Sequence, residues 1–187
     1  MKILPVALLL MASMAFVLMG CSDDSALTGL PTDQNSSPDG AGTLGKVPTA
    51  HFTGVEGIWN VIDWGRWPSK GNRSVGHGIL WEAIYLTSTG DTPVDGFAVI
   101  SMDLSHDFDG NGPLQGKITL TPLYFEGVWE GTWTGYSTKI GEDQWEEDIT
   151  KVLQGKGGDI DGMHLVIKEV FHSELGYGDI EGYIKAP

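Results

Sequence analysis

Leu114-Gln115-Gly116-Lys117-Ile118-Thr119-Leu120-Thr121 alternates small or apolar residues with polar ones, without a break. A period of two puts Leu114, Gly116, Ile118 and Leu120 on one side and Gln115, Lys117, Thr119 and Thr121 on the other, as in a strand with one buried face and one wet face. The same reading extends outward over His51 to Pro187. Glycines recur too densely there for helices, and the spacing predicts strands near 51–63, 74–88, 94–103, 113–121, 125–138, 144–156, 161–172 and 178–185.

The connections are short and rich in turn residues, such as Asp109-Gly110-Asn111-Gly112, Gly157-Gly158 and Gly176-Tyr177-Gly178. Short hairpins make sequence neighbours pair in space, so the expected topology is an antiparallel meander. A meander leaves two exposed edges, and closing about eight strands into an all-β, up-and-down barrel removes both. Gly78, Gly116, Gly131 and Gly182 inside strands suit the sharp bends of a small barrel. A two-sheet β-sandwich is the alternative.

The start of the chain has a different character. Met1 and Lys2 precede an almost uncharged run from Ile3 to Met19, the layout of a signal peptide. Leu18-Met19-Gly20-Cys21 resembles the lipobox of bacterial lipoproteins. That resemblance implies removal of residues 1–20, lipidation of Cys21, a membrane partner through the lipid, and export to the cell envelope, with Ser22 favouring the outer membrane. Cys21 is the only cysteine of the chain, so a thioether to lipid leaves no lone thiol in an oxidising compartment. Residues 21–48 are rich in Ser, Gly, Asp, Thr and Pro with no aromatic residue, and read as the lipidated Cys and a flexible tether of roughly 30 Å reach. Residues 49–187 form the barrel domain.

Charge restricts the partners. The 187 residues carry 25 acidic and 11 basic side chains, a net charge of −14. Phosphate backbones are repelled, which excludes sequence-independent nucleic-acid binding. No cofactor motif is present.

Gly127-Val128-Trp129-Glu130-Gly131-Thr132-Trp133-Thr134-Gly135, the stretch Leu153 to Leu165, and Gly182-Tyr183-Ile184 resemble the calycin-like barrels similar to allene oxide cyclase. The resemblance covers about residues 110–187 and implies a barrel with a lipid-like ligand. None of that family's catalytic residues has a matching motif here, so no catalytic residue is assigned.

Several residues are candidates for a ligand site. Trp129 and Trp133 share a strand face, either as a platform for a ligand or as filling for the interior. Trp59 to Trp67 gathers three indoles with Asp63 and Arg66, so Trp64 and Arg66 form a pocket rim or a plug over one barrel end. Glu82 and Glu169 fall in register with apolar neighbours, and either one, turned inward, becomes a buried carboxylate with a raised pKa. Both of their strands are apolar on both faces, which leaves outward placement open.

Asp107, Asp109 and Asn111, with Gly112 after them, copy the head of a calcium loop, but Ile118 stands where a bidentate Glu is needed. A tight hairpin asks for the same residues. Asp103 and His106 add no transition-metal set. His77 reads as a turn or rim histidine, and His164 and His172 lie too far apart along one strand to share a metal.

The expectation is an envelope lipoprotein whose barrel binds a small apolar or lipid-like ligand or a protein partner. The alternatives are an isomerase or cyclase using an interior carboxylate, and an interaction lipoprotein with a filled barrel.

Overall fold

A computed structural model describes residues 49–90 and 92–187. Cys21 and the stretches expected to be a signal peptide and a tether lie outside the described residues. The strands are β1 (Thr49–Asp63), β2 (Ser69–Lys70), β3 (Arg73–Thr87), β4 (Gly96–His106), β5 (Gly112–Pro122), β6 (Val128–Gly141), β7 (Gln144–Lys156), β8 (His164–His172) and β9 (Tyr177–Lys185), with one 3-10 turn at Gly158–Ile160.

β1 pairs with both β9 and β3, so the strands from β3 through β9 and back to β1 form a continuous ring. The molecule is a closed, eight-stranded, antiparallel up-and-down barrel. β2 is a two-residue addition to β3 within the β1–β3 hairpin. Closure is made by Gly54 opposite Thr87 and Glu56 opposite Tyr85, and the ring carries no gap of the kind a sandwich has.

The alternation at Leu114 sets the pattern of the whole wall. Leu114, Ile118 and Leu120 point into the bore, where they meet Ala83, Ala98, Ile100, Trp129, Trp133, Leu153, Leu165 and Ile167 in one buried cluster. Lys117, Glu130, Asp148, Lys168, Asp179 and Glu181 stand on the exposed outer face.

Gly116 is required by a close approach. A Cβ there would collide with the Ser101 carbonyl and lie 2.7 Å from the Trp133 indole nitrogen. Its absence lets Trp133 Nε1 donate to the Ser101 carbonyl at 3.1 Å. At one end of the barrel, Val94 and Ile160 are buried on the loops after β3 and β7 and close the bore there.

Candidate functional site

The bore is mostly apolar, with Ser137 and Thr87 buried in it and one charged belt across it. Glu56 and Tyr85 are directly opposite each other on β1 and β3, and Glu169 lies beside Ile149 on β8 and β7. Two residues along β7, Lys151 extends into the space between them. Its ammonium donates to Glu56 Oε2, donates to the Tyr85 hydroxyl at 2.5 Å, and lies 2.5 Å from Glu169 Oε2. All four residues are buried. Glu147, partly buried on β7, extends the group of acids.

Charge does not balance in this cluster, because one ammonium faces Glu56 and Glu169 with Glu147 close by. Burial pushes the Glu169 carboxyl up to about 8, and the Glu56 charge adds to that against the pull of Lys151. Glu147 is pushed up to about 7, again by desolvation first and Glu56 second. Desolvation would lower the Lys151 ammonium, but Glu169 and Glu56 outweigh it and hold it above its ordinary value. Burial and the two carboxylates raise the Tyr85 phenol well above its usual value. The neutral state of the cluster therefore keeps a proton on Glu169 and a charge on Lys151.

The sequence candidates do not converge. Trp129 and Trp133 fill the bore rather than forming an open platform. Trp129 Nε1 donates to the Pro93 carbonyl at 2.6 Å, and Trp133 meets Trp81 edge-on at a centroid distance of 6.1 Å. Glu169 points inward, whereas Glu82 lies on the outer face and accepts a hydrogen bond from Asn60 Nδ2 at 3.1 Å. Trp64 and Arg66 belong to the β1–β3 connection at the barrel end away from Trp129. There Trp67 packs toward Gly76 as a partial cover, and Asp63 accepts from the Gly65 amide rather than pairing with Arg66.

Asp107 Oδ1 is committed to the amides of Asp109 and Asn111, both at 2.9 Å, and Asn111 Oδ1 accepts from the Lys139 amide. The segment is a self-capped hairpin turn. Among the described residues, no group of three His, Cys, Asp or Glu side chains is placed to hold a metal ion. His77 Nδ1 lies 3.5 Å from Asp103, and His172 Nε2 lies 3.6 Å from Asp179, as separate surface contacts.

Glu56, Tyr85, Lys151 and Glu147 are not prominent in the sequence. One signal was present for Lys151, which shares its period-two phase with Ile149 and Leu153 and so had to point inward with them.

Two depressions mark the wall. One, of about 890 Å³, is lined by Thr53, Lys168, Asp179 and Glu181 from the outward rows together with Ile149, Glu169 and Ile180 from the buried ones. The other, of about 230 Å³, lies between Trp59, Glu82, Phe97, Val99 and Thr121. Glu169 is the belt residue that lines the first, whereas Lys151, Glu56 and Tyr85 line neither.

Fold and site together define a small closed meander barrel with a side-chain-filled bore crossed by a buried ionic belt. No family model matches the sequence, and no curated protein or solved structure does either.

Proposed function

We propose that the chain is a lipid-tethered envelope lipoprotein whose barrel is a non-catalytic interaction module, binding a protein partner on the outer face of β1, β3 and β4. The observation that carries this reading is the contrast between the two sides of those strands. The bore side is packed with Trp129, Trp133, Tyr85 and Lys151. The outer side exposes Val55, Trp59, Leu86, Phe97 and Val99, with Leu80 and Ile84 half-buried between them and Glu82 as its central charge. Val55 is opposite Leu86, Ile84 is opposite Phe97, and Glu82 is opposite Val99, so the patch is continuous across three strands. Contiguous apolar surface of this kind in an acidic protein fits a protein contact.

The filled bore favours a partner outside over a lipid carried inside. An isomerase or cyclase would use an inward carboxylate with a second polar group in reach, and Glu169 with Lys151 supplies that pair. Lys151 is already engaged by Glu56, Tyr85 and Glu169, which weighs against a substrate as its partner.

Native mass spectrometry of the purified protein tests the first half: beyond the covalent anchor at Cys21 no bound lipid is expected, and a second, non-covalent lipid at one-to-one stoichiometry overturns the reading. A photo-crosslinking residue at Phe97 tests the second half. A defined adduct is expected from Phe97 and not from Thr132 on the outer face of β6. Identical adducts from both positions overturn it.

A further inference from the structure

Tryptophan is among the most buried residues on average, yet the connection from β1 to β3 leaves Trp64 48 % and Trp67 49 % exposed, with Ile62 beside them at 48 %. These side chains sit on a fixed turn. Trp67 Nε1 donates to the Trp64 carbonyl at 2.7 Å, and Arg66 and His77 exchange two backbone hydrogen bonds of 2.9 Å. The surrounding charge is equally unusual. From Trp64 to Trp81 the sequence has no acidic residue, although Asp63 adjoins it and Asp103 faces His77 at 3.5 Å, while the segment contains Lys70 and the chain's two arginines, Arg66 and Arg73, in a protein of net charge −14.

We propose that this hairpin docks on the surface of an anionic phospholipid bilayer, with Ile62, Trp64 and Trp67 in the interfacial layer and Arg66 and Arg73 on headgroup phosphates. Indoles prefer that layer because their ring is apolar and their N–H is not. Arginine binds phosphate as a planar fork, and an anionic leaflet attracts cations within a Debye length. Arg73 already donates to the Ser105 carbonyl at 2.8 Å, which leaves its other donors for phosphate.

Chain length permits the geometry. The hairpin is at the opposite end of β1 from Thr49, which pairs with Lys185, so the two ends are separated by at most roughly 45 Å of strand. The segment from Cys21 to Pro48 spans up to roughly 90 Å when extended, enough for the far end of the barrel to reach the surface that holds the anchor. The other turns at that end carry Asp107, Asp109, Glu142, Asp143 and Glu174, so an anionic surface is met by the hairpin edge, with the barrel leaning away. The inference rests on the lipid-anchor reading for the nearness of the bilayer.

The test is tryptophan fluorescence of the full chain reconstituted in vesicles whose lipids are brominated near the top of the acyl chains, with and without one anionic lipid in four. With anionic lipid, two indoles of seven enter the quenching layer, a loss of about a quarter of the emission, and high salt reverses much of it. The Trp64→Ser/Trp67→Ser variant abolishes the loss. Arg66→Glu, which leaves the indoles in place, weakens it. Flotation with vesicles but without quenching overturns the docking and leaves the anchor standing. A chain that neither floats nor quenches overturns both, and quenching that is equal in uncharged vesicles overturns the role of the arginines.

Discussion

Lys151 on β7 reaches the Glu56 carboxylate on β1 across the two strands that separate them in the ring. No local contact requires this bond, since the partners are 95 positions apart in the sequence. It ties opposite parts of the wall together through the middle of an apolar bore, where an unpaired charge is costly.

Removing Lys151 therefore costs more than the contacts it makes. Lys151→Met leaves Glu56 and Glu169 without a cation, and an uncompensated buried charge destabilises by about 3–5 kcal/mol. Adding Glu56→Gln and Glu169→Leu to Lys151→Met should restore most of that, because a neutral belt has no charge to compensate. Urea unfolding of the three proteins checks the order: parent, then triple variant, then the single variant as least stable.

Stability should fall as pH rises through neutrality. Glu147 titrates at about 7 and Glu169 at about 8 in the folded chain, against 4.5 when unfolded, so the folded state binds more protons between those limits. The stabilisation held by these groups is complete below the unfolded value and is lost as pH rises through the folded values. For Glu147 this corresponds to roughly 3 kcal/mol across the window. The thermal midpoint should drop from pH 5 to pH 9, and Glu147→Gln with Glu169→Gln should flatten that slope. A midpoint that climbs over the same range would contradict the buried belt.

Gly178 makes room for the Glu169 carboxyl. A Cβ at that position would overlap Glu169 Oε1 and sit 2.8 Å from its carboxyl carbon. Gly178→Ala should therefore destabilise the barrel by about 1–3 kcal/mol, as overpacking does. In a Glu169→Ala background the same change should cost little. A double-mutant cycle over the two positions should give a coupling of about 1 kcal/mol or more, and additivity would rule out the steric relationship.

The architecture was legible because period two survives in nearly every strand. Leu114 to Thr121 on β5 shows it without ambiguity, and the glycine and Asp/Asn turns gave the order of pairing. The belt was harder to read for two reasons. β3 and β8 are apolar on both faces, so the phases of Glu82 and Glu169 were open until closure placed Tyr85 opposite Glu56 and Ile149 opposite Glu169. Lys151 was legible in phase but not in partner, since Glu56 meets it only through the curvature of the ring. The extra strand β2 rests on two backbone pairs, too few to leave a pattern in the sequence.

The loop after β3 depends on Asp95 in the opposite pH direction. Its carboxylate is buried and accepts four hydrogen bonds: from the Thr87 amide at 2.5 Å, the Thr87 hydroxyl at 3.0 Å, the Thr92 amide at 2.7 Å and the Thr92 hydroxyl at 3.0 Å. Burial works against the charged form, but the Thr87 and Thr92 donors outweigh it and hold the carboxyl below its usual value. A lowered folded pKa gives stability that is present above the unfolded value of 3.8 and is lost as pH falls through the folded one. Asp95→Asn presents an amide NH2 to donors that need an acceptor, and should destabilise by about 2–3 kcal/mol at neutral pH. Thr92→Ala removes one hydroxyl and keeps the carboxylate, so it should cost about 1 kcal/mol. Thermal unfolding from pH 2 to pH 6 separates the two effects. The asparagine variant should show a weaker acid limb than the parent, the alanine variant should keep most of it, and an unchanged limb in both would remove Asp95 as its source.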